Sequence, residues 1–374
     1  MPIRLTKNNL KIKFSKSTYK KAGVDIQAGD SASKRAYKAA LSTHVGRKGM
    51  FACPLKLEGG FTGALDCGDF LLVQNDDGVG SKMMVAEQMN RFDTIGYDLL
   101  AMVCDDAICV GAEVLSITNT IDVKQIDRTK IAAMMDGLAQ ACREQSIVIA
   151  GGEIAELKDQ IKNMVWNACA VGIVEKQKFI TGMHVRPGDK IIGFQSRGFR
   201  SNGFSLIRYI LKKAYGENWH RHKFNNSNTW GEMVLTPSRI YHACILDMVG
   251  RFRKGEAKIH PKAIVHNTGG GLPGNLARIV DKVGRGAFIN HPFPAHAAML
   301  ELQKLGNVDD EEAYRTWNMG IGMMMVVDGS QTKEAIEIAR KHNVPAQIIG
   351  EITSEPGIQV VSQGYFKKGL QLSF

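Results

Sequence analysis

The apolar residues of this chain come in short runs. None approaches the roughly 20 residues that a membrane-spanning helix requires, and the most apolar run, Met319 to Val327, is broken by Gly320 and Gly322. Short runs of this kind are typical of buried strands. The chain has 374 residues, of which 44% are hydrophobic and 23% charged, so it can form a full core. We therefore expect a globular protein of about two domains.

Strand-like and helix-like patterns alternate along the chain, which predicts a mixed α+β fold. A short apolar run at 70–74 predicts a strand, and residues 83–89 predict the helix that follows it. Apolar residues at spacings of mostly three and four predict a further helix at about 128–143. The other predicted elements are strands at 147–150, 167–174, 190–194, 323–327 and 347–352, helices at 204–212 and 332–342, and a surface loop at 216–231.

Glycine and proline at 181–188 predict the boundary between two domains. The first domain is predicted to comprise residues 1–182, with a basic leader at 1–16. The second is predicted to comprise residues 183–374.

The chain is basic, with 48 Lys and Arg against 37 Asp and Glu and a net charge of +11. This charge permits binding to nucleic acid, to an anionic surface or to phosphorylated small molecules. Much of the excess lies near the two ends, without the interleaved aromatic residues that single-strand binders use. We expect a solvated basic surface and no nucleic-acid or membrane partner.

The seven cysteines form no CxxC pair, and most have apolar neighbours, which is typical of buried reduced thiols. The start of the chain lacks the apolar stretch of a signal peptide. Reduced cysteines and no such stretch predict a cytoplasmic protein.

The sharpest local motif is the acidic, glycine-rich segment 76–82, which lies between the predicted strand and helix. Glycines let backbone amides approach an anion, and Lys82 can neutralise phosphate charge. The segment is not a Walker A loop, because Ser81 precedes the lysine. Asp77 can instead hold Mg²⁺, which bridges carboxylates to nucleotide phosphates. The alternative interpretation is an ordinary Asp-Gly turn.

Two further acidic positions strengthen the magnesium hypothesis. Asp105 and Asp106 lie in an otherwise apolar run, where uncompensated carboxylates cost several kcal/mol, so we expect a metal or a cation beside them. Glu153 follows the predicted strand 147–150 after a glycine turn. Together with Asp77, these residues predict a shared Mg²⁺ and phosphate site. For each residue alone, the alternative is a helix cap or a salt bridge.

Three other segments are rich in glycine. The segment 59–63 can cover a nucleotide as a flexible loop, whereas 197–203 and 268–272 each lead into a helix and can present backbone N–H groups and a helix N-terminus to a phosphate. A plain turn is the alternative for each of them. Asn318 lies directly before the glycine-interrupted apolar strand, where its side chain can orient a substrate amide.

Taken in order, these segments resemble the phosphoribosylformylglycinamidine cyclo-ligase family, also called aminoimidazole ribonucleotide synthetases, from about residue 17 to residue 351. DGVGSK and GGE are typical of the wider superfamily of ATP-dependent enzymes, whereas YKKAGVDI and YRTWNMGIGM are typical of the cyclo-ligases. The matching segments are YKKAGVDI at 19–26, GGF at 59–61, DGVGSK at 77–82, DTIGYDL at 93–99, GGE at 151–153, SNGFSLIR at 201–208, PSRIY at 237–241, TGGG at 268–271 and YRTWNMG at 314–320.

The resemblance implies an α+β subunit of two domains. Residues 1–182 would bind ATP and Mg²⁺ and pair in a homodimer, and residues 183–374 would hold the substrate phosphate. In this family ATP phosphorylates the formyl oxygen of formylglycinamidine ribonucleotide, and a nitrogen of the same substrate displaces the phosphate. The products are aminoimidazole ribonucleotide, ADP and phosphate. Two alternatives stay open: a divergent superfamily enzyme that acts on another amide or phosphate acceptor, and a non-catalytic binding protein.

The resemblance and the residue chemistry together predict the site. The predicted metal ligands are Asp77, Asp106 and Glu153. The predicted catalytic residues are Lys82, Asp106, Arg200 and Asn318. The predicted ATP-binding residues are Gly59, Gly60, Phe61, Asp77, Gly78, Gly80, Ser81 and Lys82. The predicted substrate-binding residues are Ser201, Asn202, Gly203, Thr268, Gly269, Gly270 and Gly271.

The chain departs from the family pattern at three places. Before SNG the family usually has proline and histidine, whereas this chain has Phe199 and Arg200. Arginine stays protonated, so it cannot replace a histidine that transfers protons, although it can bind phosphate. The usual Asn-Asp pair is Asp105-Asp106 here, and residues 154–159 differ from the usual AEMPGMY.

Overall fold

Two β-sheets, each formed by one half of the chain, are the framework of this computed structural model, which describes residues 16–55 and 61–374. The predicted basic leader lies outside the described residues except for Lys16. Gly59 and Gly60, predicted to bind ATP, also lie outside them.

The first sheet has six strands within the described residues, in the order β1-β2-β3-β6-β4-β5, and only β4 and β5 pair in parallel. Its strands are β1 Cys53–Pro54, β2 Gly63–Asp66, β3 Phe70–Gly78, β4 Glu113–Val123, β5 Val148–Glu156 and β6 Val165–Glu175. The helices of this half are α1 Ile26–Ser42, α2 Met83–Met89, α3 Ile95–Ile108 and α4 Arg128–Gln145.

The two faces of the first sheet differ. Helix α3 packs on one face, where Ile117 and Trp166 are buried. Over β4, β5 and β6, no helix of the described residues covers the other face. Pairing register places Val148 and Val165 on that face, and they are 61% and 40% exposed. The first sheet therefore has one packed face and one face that is open in a single chain.

The second sheet has seven strands within the described residues, in the order β13-β12-β9-β11-β7-β10-β8. Its strands are β7 Lys190–Gln195, β8 Ala263–His266, β9 Gly286–Ile289, β10 Ile321–Val327, β11 Ala346–Thr353, β12 Gly357–Val361 and β13 Gln371–Ser373. The helices of this half are α5 Phe204–Tyr215, α6 Trp230–Val234, α7 His242–Val249, α8 Gly271–Val280, α9 Ala297–Gly306, α10 Asp310–Thr316 and α11 Thr332–Lys341. Strand β10 is buried along its full length.

Most predicted elements are confirmed. The strand predicted at 70–74 lies in β3, and the helix predicted at 128–143 is α4. The other predicted helices and strands correspond to α2, α5, α11, β6, β7, β10 and β11. The predicted boundary at 182–183 stays a prediction, and the two sheets fall on either side of it.

One prediction of local structure is wrong, and another is confirmed only in part. The strand predicted at 147–150 extends to Glu156, so Gly151 and Gly152 lie inside β5 and form no turn. The predicted surface loop at 216–231 is mostly exposed, but it contains Trp219 and Trp230, which are 2% and 1% exposed and pack into the core.

None of the helices in the described part of the chain is long and apolar enough to cross a bilayer.

Candidate active site

Helix α3 carries three carboxylates at the boundary between the two halves. Asp105 and Asp106 follow Asp98 by seven and eight residues, which is about two helical turns, so all three lie on one side of the helix. Asp98 and Asp105 are completely buried, and a buried carboxylate costs several kcal/mol unless it is paired. The partners of these residues therefore determine what the helix can do.

Asp98 is neutralised by Lys82, whose Nζ lies 2.7 Å from Oδ1. Ser238 from the second half donates its backbone N–H to the same oxygen, and Lys82 also donates to the Thr236 carbonyl. Burial lowers the pKa of Lys82, and the Asp98 carboxylate opposes that shift. The predicted contact of Lys82 with ATP phosphates is corrected by this geometry, because its ammonium group is fully buried and already bonded.

Asp105 is neutralised by Arg200, whose Nη2 lies 2.6 Å from Oδ2. Its other oxygen accepts the backbone N–H of Tyr241 at 3.0 Å. Arg200 also donates to the Arg239 carbonyl, and its side chain is fully buried. The positive partner expected beside Asp105 is thus present. The predicted phosphate contact of Arg200 is corrected, since this guanidinium does not face solvent.

Asp106 and Asp77 lie at the boundary between the two halves, where both are partly buried and near His266. Asp106 is 14% exposed and accepts from His266 Nδ1 at 2.7 Å. Asp77, near the end of β3, accepts the N–H of Gly78 at 2.7 Å. Burial raises the pKa of Asp106 to about 7. Burial, with a smaller contribution from Asp106, raises the pKa of Asp77 to about 6. Two partly buried carboxylates that repel each other are a fitting donor set for Mg²⁺, which commonly takes one or two carboxylates and substrate phosphates.

The structure does not bring Glu153 to these carboxylates. Glu153 pairs with Thr120 and through it with Asn167, whereas Asp77 pairs with Ala168. Because neighbouring positions on a strand point to opposite faces, Glu153 lies on the open face and Asp77 on the packed face. Across residues 16–55 and 61–374, no three or more His, Cys, Asp or Glu side chains form a metal-binding group. The predicted trio of metal ligands is therefore not brought together within one chain, and metal binding by Asp77 and Asp106 stays a prediction.

The two predicted substrate loops meet in the second half. Asn202 donates to Thr268 Oγ1 at 3.1 Å, which joins the loop before α5 to the loop before α8. Gly203 has φ +77°, and a Cβ there would lie 2.4 Å from the Trp317 ring. At Gly271, with φ +66°, a Cβ would lie 1.9 Å from the Tyr314 carbonyl oxygen. Only glycine fits both positions, and each lies where its helix begins.

Two cavities share Arg278 of α8, and the first of them lies beside the loop before α8. A cavity of about 490 Å³ is lined by Gly269, Gly270, Arg278 and Arg315. A second, of about 820 Å³, lies between α1 and the end of β3, and its lining includes Phe61, Asp76 and Arg278. The guanidinium of Arg278 stacks 4.8 Å from the Phe61 ring centroid. The sequence interpretation missed Arg278 and Arg315, although Arg315 lies within the YRTWNMG motif.

Asn318 is engaged with the protein itself. Its Oδ1 accepts from Ser196 Oγ at 2.8 Å and from the Gly320 N–H at 3.0 Å, and its Nδ2 donates to the Gly198 carbonyl. It is only 4% exposed. The predicted orientation of a substrate amide by Asn318 does not fit this geometry. Its side chain instead holds the loop that leads to Ser201.

The comparisons with known proteins define the class. A family model for the N-terminal domain of AIR synthase related proteins matches residues 62–174, and one for their C-terminal domain matches residues 186–363. Among solved structures, the HypE–HypF complex has a chain that matches with a TM-score of 0.61 and 16% identity over 83% of this chain and 92% of that one. T. maritima PurL complexed with ATP matches with a TM-score of 0.54 and 16% identity over 86% of this chain and 46% of that one. The chain is an AIR synthase related protein.

Within that class, a relative from Methanocaldococcus jannaschii is named phosphoribosylformylglycinamidine cyclo-ligase. It is 40% identical over 335 residues, which are 90% of this chain and 92% of the relative. The chain therefore belongs to the phosphoribosylformylglycinamidine cyclo-ligase family, whose members are ligases of purine biosynthesis.

Proposed function

We propose that this chain closes the imidazole ring of formylglycinamidine ribonucleotide in an ATP-dependent reaction that yields aminoimidazole ribonucleotide, ADP and phosphate. The observation that carries the proposal is a group of residues at the boundary between the halves. There Asp77 and Asp106, two carboxylates with raised pKa, lie near His266, two residues before the glycine loop that opens α8. The 40% identity to a relative named for this reaction supports it.

The chemistry asks the protein mainly to position its substrates and neutralise charge. An amide oxygen is a poor leaving group until it is phosphorylated, and phosphoryl transfer depends on orientation and electrostatic stabilisation. Mg²⁺ would neutralise phosphate charge during the transfer. Asp77 and Asp106 would hold it. Their burial raises both pKa values and so favours a bound proton, and a bound Mg²⁺ would compensate the same negative charge in place of that proton. ATP as the phosphate donor is supported by the shared fold of PurL complexed with ATP.

The two cavities suggest where the substrates bind. The larger, about 820 Å³, is lined by Phe61 and by Arg278, whose charge acts on Asp106, so we assign ATP to it. The space beside Gly80 is open, which leaves the turn at Gly80 accessible to a phosphate. The smaller cavity has two arginines and the N-terminus of α8, which suit the phosphate of the ribonucleotide. Arg278 lines both cavities and would neutralise charge where the two substrates meet.

We further propose that a second copy of the chain packs on the open face of the first sheet. The exposed Val148 and Val165 support this assignment, since both are apolar side chains on a sheet face that no helix of the described residues covers. Glu153 lies on the same face, so the dimer would bury it near the partner. Sedimentation of the Val148→Asp/Val165→Asp variant should give the mass of one chain, and wild-type protein the mass of two. Met183→Asp, at another exposed apolar residue, is the control and should stay dimeric.

A cytoplasmic location is also a proposal. It is supported by the seven cysteines, all of which are free, as expected in a reducing compartment. The partner we expect is a phosphorylated small molecule, and the arginine-lined cavity supports that expectation.

The test is ADP release with Mg·ATP, measured with and without formylglycinamidine ribonucleotide while the aminoimidazole product is assayed. Substrate-dependent ADP release that matches product formation is the expected result. Asp106→Asn should lower kcat/KM by about 100-fold or more and weaken Mn²⁺ binding measured by electron paramagnetic resonance. Asp247→Asn, on the surface, is the matched control. ADP release without the product would favour the alternative, a superfamily enzyme that acts on another acceptor.

A further inference from the structure

The guanidinium of Arg200 lies between an acid and a base. Its Nη2 is 2.6 Å from Asp105 Oδ2 and 3.0 Å from His266 Nε2, and all three side chains are fully buried. An arginine side chain can only donate hydrogen bonds. His266 Nε2 must therefore accept, which places the proton of the imidazole ring on Nδ1. That nitrogen lies 2.7 Å from Asp106 Oδ1 and so donates to it.

This chain of hydrogen bonds determines which oxygen of Asp106 is free. Oδ1 is committed to the His266 Nδ1–H. Within the described residues, Oδ2 receives no hydrogen bond, and the Asp106 side chain is partly exposed. A carboxylate held through one oxygen offers the other to a ligand in a fixed direction. Outer hydrogen bonds of this kind orient metal ligands.

Arg200 is itself held firmly. It donates to the Arg239 carbonyl at 3.1 Å, and its guanidinium lies 5.1 Å from the Tyr241 ring centroid. Its backbone has φ +59°, in the left-handed region that arginine rarely adopts. Such a conformation persists only where the surrounding contacts maintain it. Asp105 is fixed in turn by the Tyr241 N–H.

Two of the residues that depart from the family pattern, Asp105 and Arg200, are thus in direct contact. The family usually has asparagine at the position of Asp105 and histidine at the position of Arg200. In this chain the two positions carry a buried negative charge and a buried positive charge, and each charge compensates the other. The contact therefore accounts for both departures together.

We propose that Arg200 and Asp105 form a positioning pair, which holds His266 in its Nδ1–H form and thereby orients Asp106 Oδ2 toward the magnesium and ATP site. This inference rests on the proposed role of Asp106 as a Mg²⁺ ligand. Neither member of the pair touches the metal or the substrate. The pair acts through His266.

The first test reads the tautomer without metal or nucleotide. In protein with ¹⁵N-labelled histidine, the His266 signal is assigned as the one that His266→Gln removes. We expect a neutral ring with its proton on Nδ1 in the wild type, and loss of that single form in Arg200→Met. A wild-type ring with its proton on Nε2 would overturn the inference.

The second test measures metal affinity, with Mn²⁺ as the probe. Arg200→Met should weaken Mn²⁺ binding by about 10–100-fold, and Arg200→Lys, which keeps a buried donor, should weaken it less. The melting temperature is recorded for each variant. A lowered melting temperature with Mn²⁺ affinity within twofold of wild type would mean a purely structural role and would overturn the inference.

A double-mutant cycle tests the pair itself. Asp105→Asn and Arg200→His each leave one buried charge without its partner, so both should lower the melting temperature and the Mn²⁺ affinity. The double variant removes both charges and should recover much of each loss. Additive losses would show that the two residues act independently. If wild-type protein binds Mn²⁺ in this Arg200-dependent manner but does not turn over the ribonucleotide, the proposed function fails and the positioning pair stands.

Discussion

Two buried ion pairs lie seven residues apart on α3. Lys82 pairs with Asp98 at 2.7 Å, and Arg200 pairs with Asp105 at 2.6 Å, with all four side chains fully buried. The backbone of residues 238–241 donates to both carboxylates, so each pair helps to join the halves. Seen one at a time, they are the same kind of interaction.

They differ in where their hydrogen bonds lead. Lys82 has its remaining contact with the Thr236 carbonyl, and Asp98 Oδ2 is buried without a partner. Arg200 continues through His266 to Asp106. An aspartate in an apolar helix indicates that a cation lies nearby. The further role of the ion pair depends on the next residue that it contacts. For Asp105 and Arg200 that residue is His266, which is far from Asp105 in sequence.

The largest effect that we expect from the comparison is on stability. Lys82→Met leaves Asp98 buried without its cation, which should lower the free energy of unfolding by about 3–5 kcal/mol in urea titration. The matched control is Lys304→Met, in an exposed pair with Glu301, where the loss should be below about 1 kcal/mol. The folded Lys82→Met protein should bind Mn²⁺ like wild type. A variant of normal stability with a raised KM for ATP would instead restore Lys82 to the phosphate site.

A smaller effect concerns His242, which follows Tyr241 and is neutral at the same interface. It is fully buried, and its Nε2 accepts the Val114 N–H at 2.9 Å. Burial lowers its pKa to about 3, against an ordinary value of 6.5. As the pH falls, His242 is protonated in the unfolded chain before it is protonated in the folded protein. Its contribution to the free energy of unfolding is therefore fully present above pH 6.5 and is lost as the pH falls toward 3.

At pH 5 the loss from His242 should be about 2 kcal/mol relative to pH 7.5. His242→Gln keeps an acceptor for Val114 but cannot gain the proton, so its unfolding free energy should depend less on pH by that amount. His184→Gln, at an exposed histidine, should follow the wild type. Equal pH dependence in His242→Gln and wild type would show that this interface tolerates an added charge.

Much of the fold could be predicted because it depends on local patterns. Spacings of three and four gave helix α4, and short apolar runs gave β3, β7 and β10. The need for a cation beside Asp105 also followed from local sequence, because the surrounding run is apolar. The identity of that cation did not, since Arg200 is 95 positions away.

Each prediction that the structure corrects has a physical cause. Gly151 and Gly152 were interpreted as a turn, but glycine is also tolerated inside a strand, here where Asn119 of the neighbouring strand would lie 2.9 Å from a Cβ at Gly152. Once the strand runs on to Glu156, the alternation of faces sends Glu153 away from Asp77. The sequence predicts a phosphate contact for Lys82 because a lysine that follows a glycine-rich segment can neutralise phosphate charge. Its burial against Asp98 depends on how the two halves pack, which no local pattern records.

The sharpest test of the comparison replaces each pair by apolar residues. Exchanging a buried ion pair for hydrophobic residues removes both charges, but here it leaves the Ser238 or Tyr241 N–H without an acceptor. Lys82→Met/Asp98→Leu and Arg200→Met/Asp105→Leu should therefore each lose about 1–3 kcal/mol, less than Lys82→Met alone. Only the second double variant removes the donor to His266, so only it should weaken Mn²⁺ binding, by about 10–100-fold. Equal Mn²⁺ affinities in the two double variants would contradict the proposal that the Arg200–Asp105 pair orients the site, and both pairs would then only join the halves.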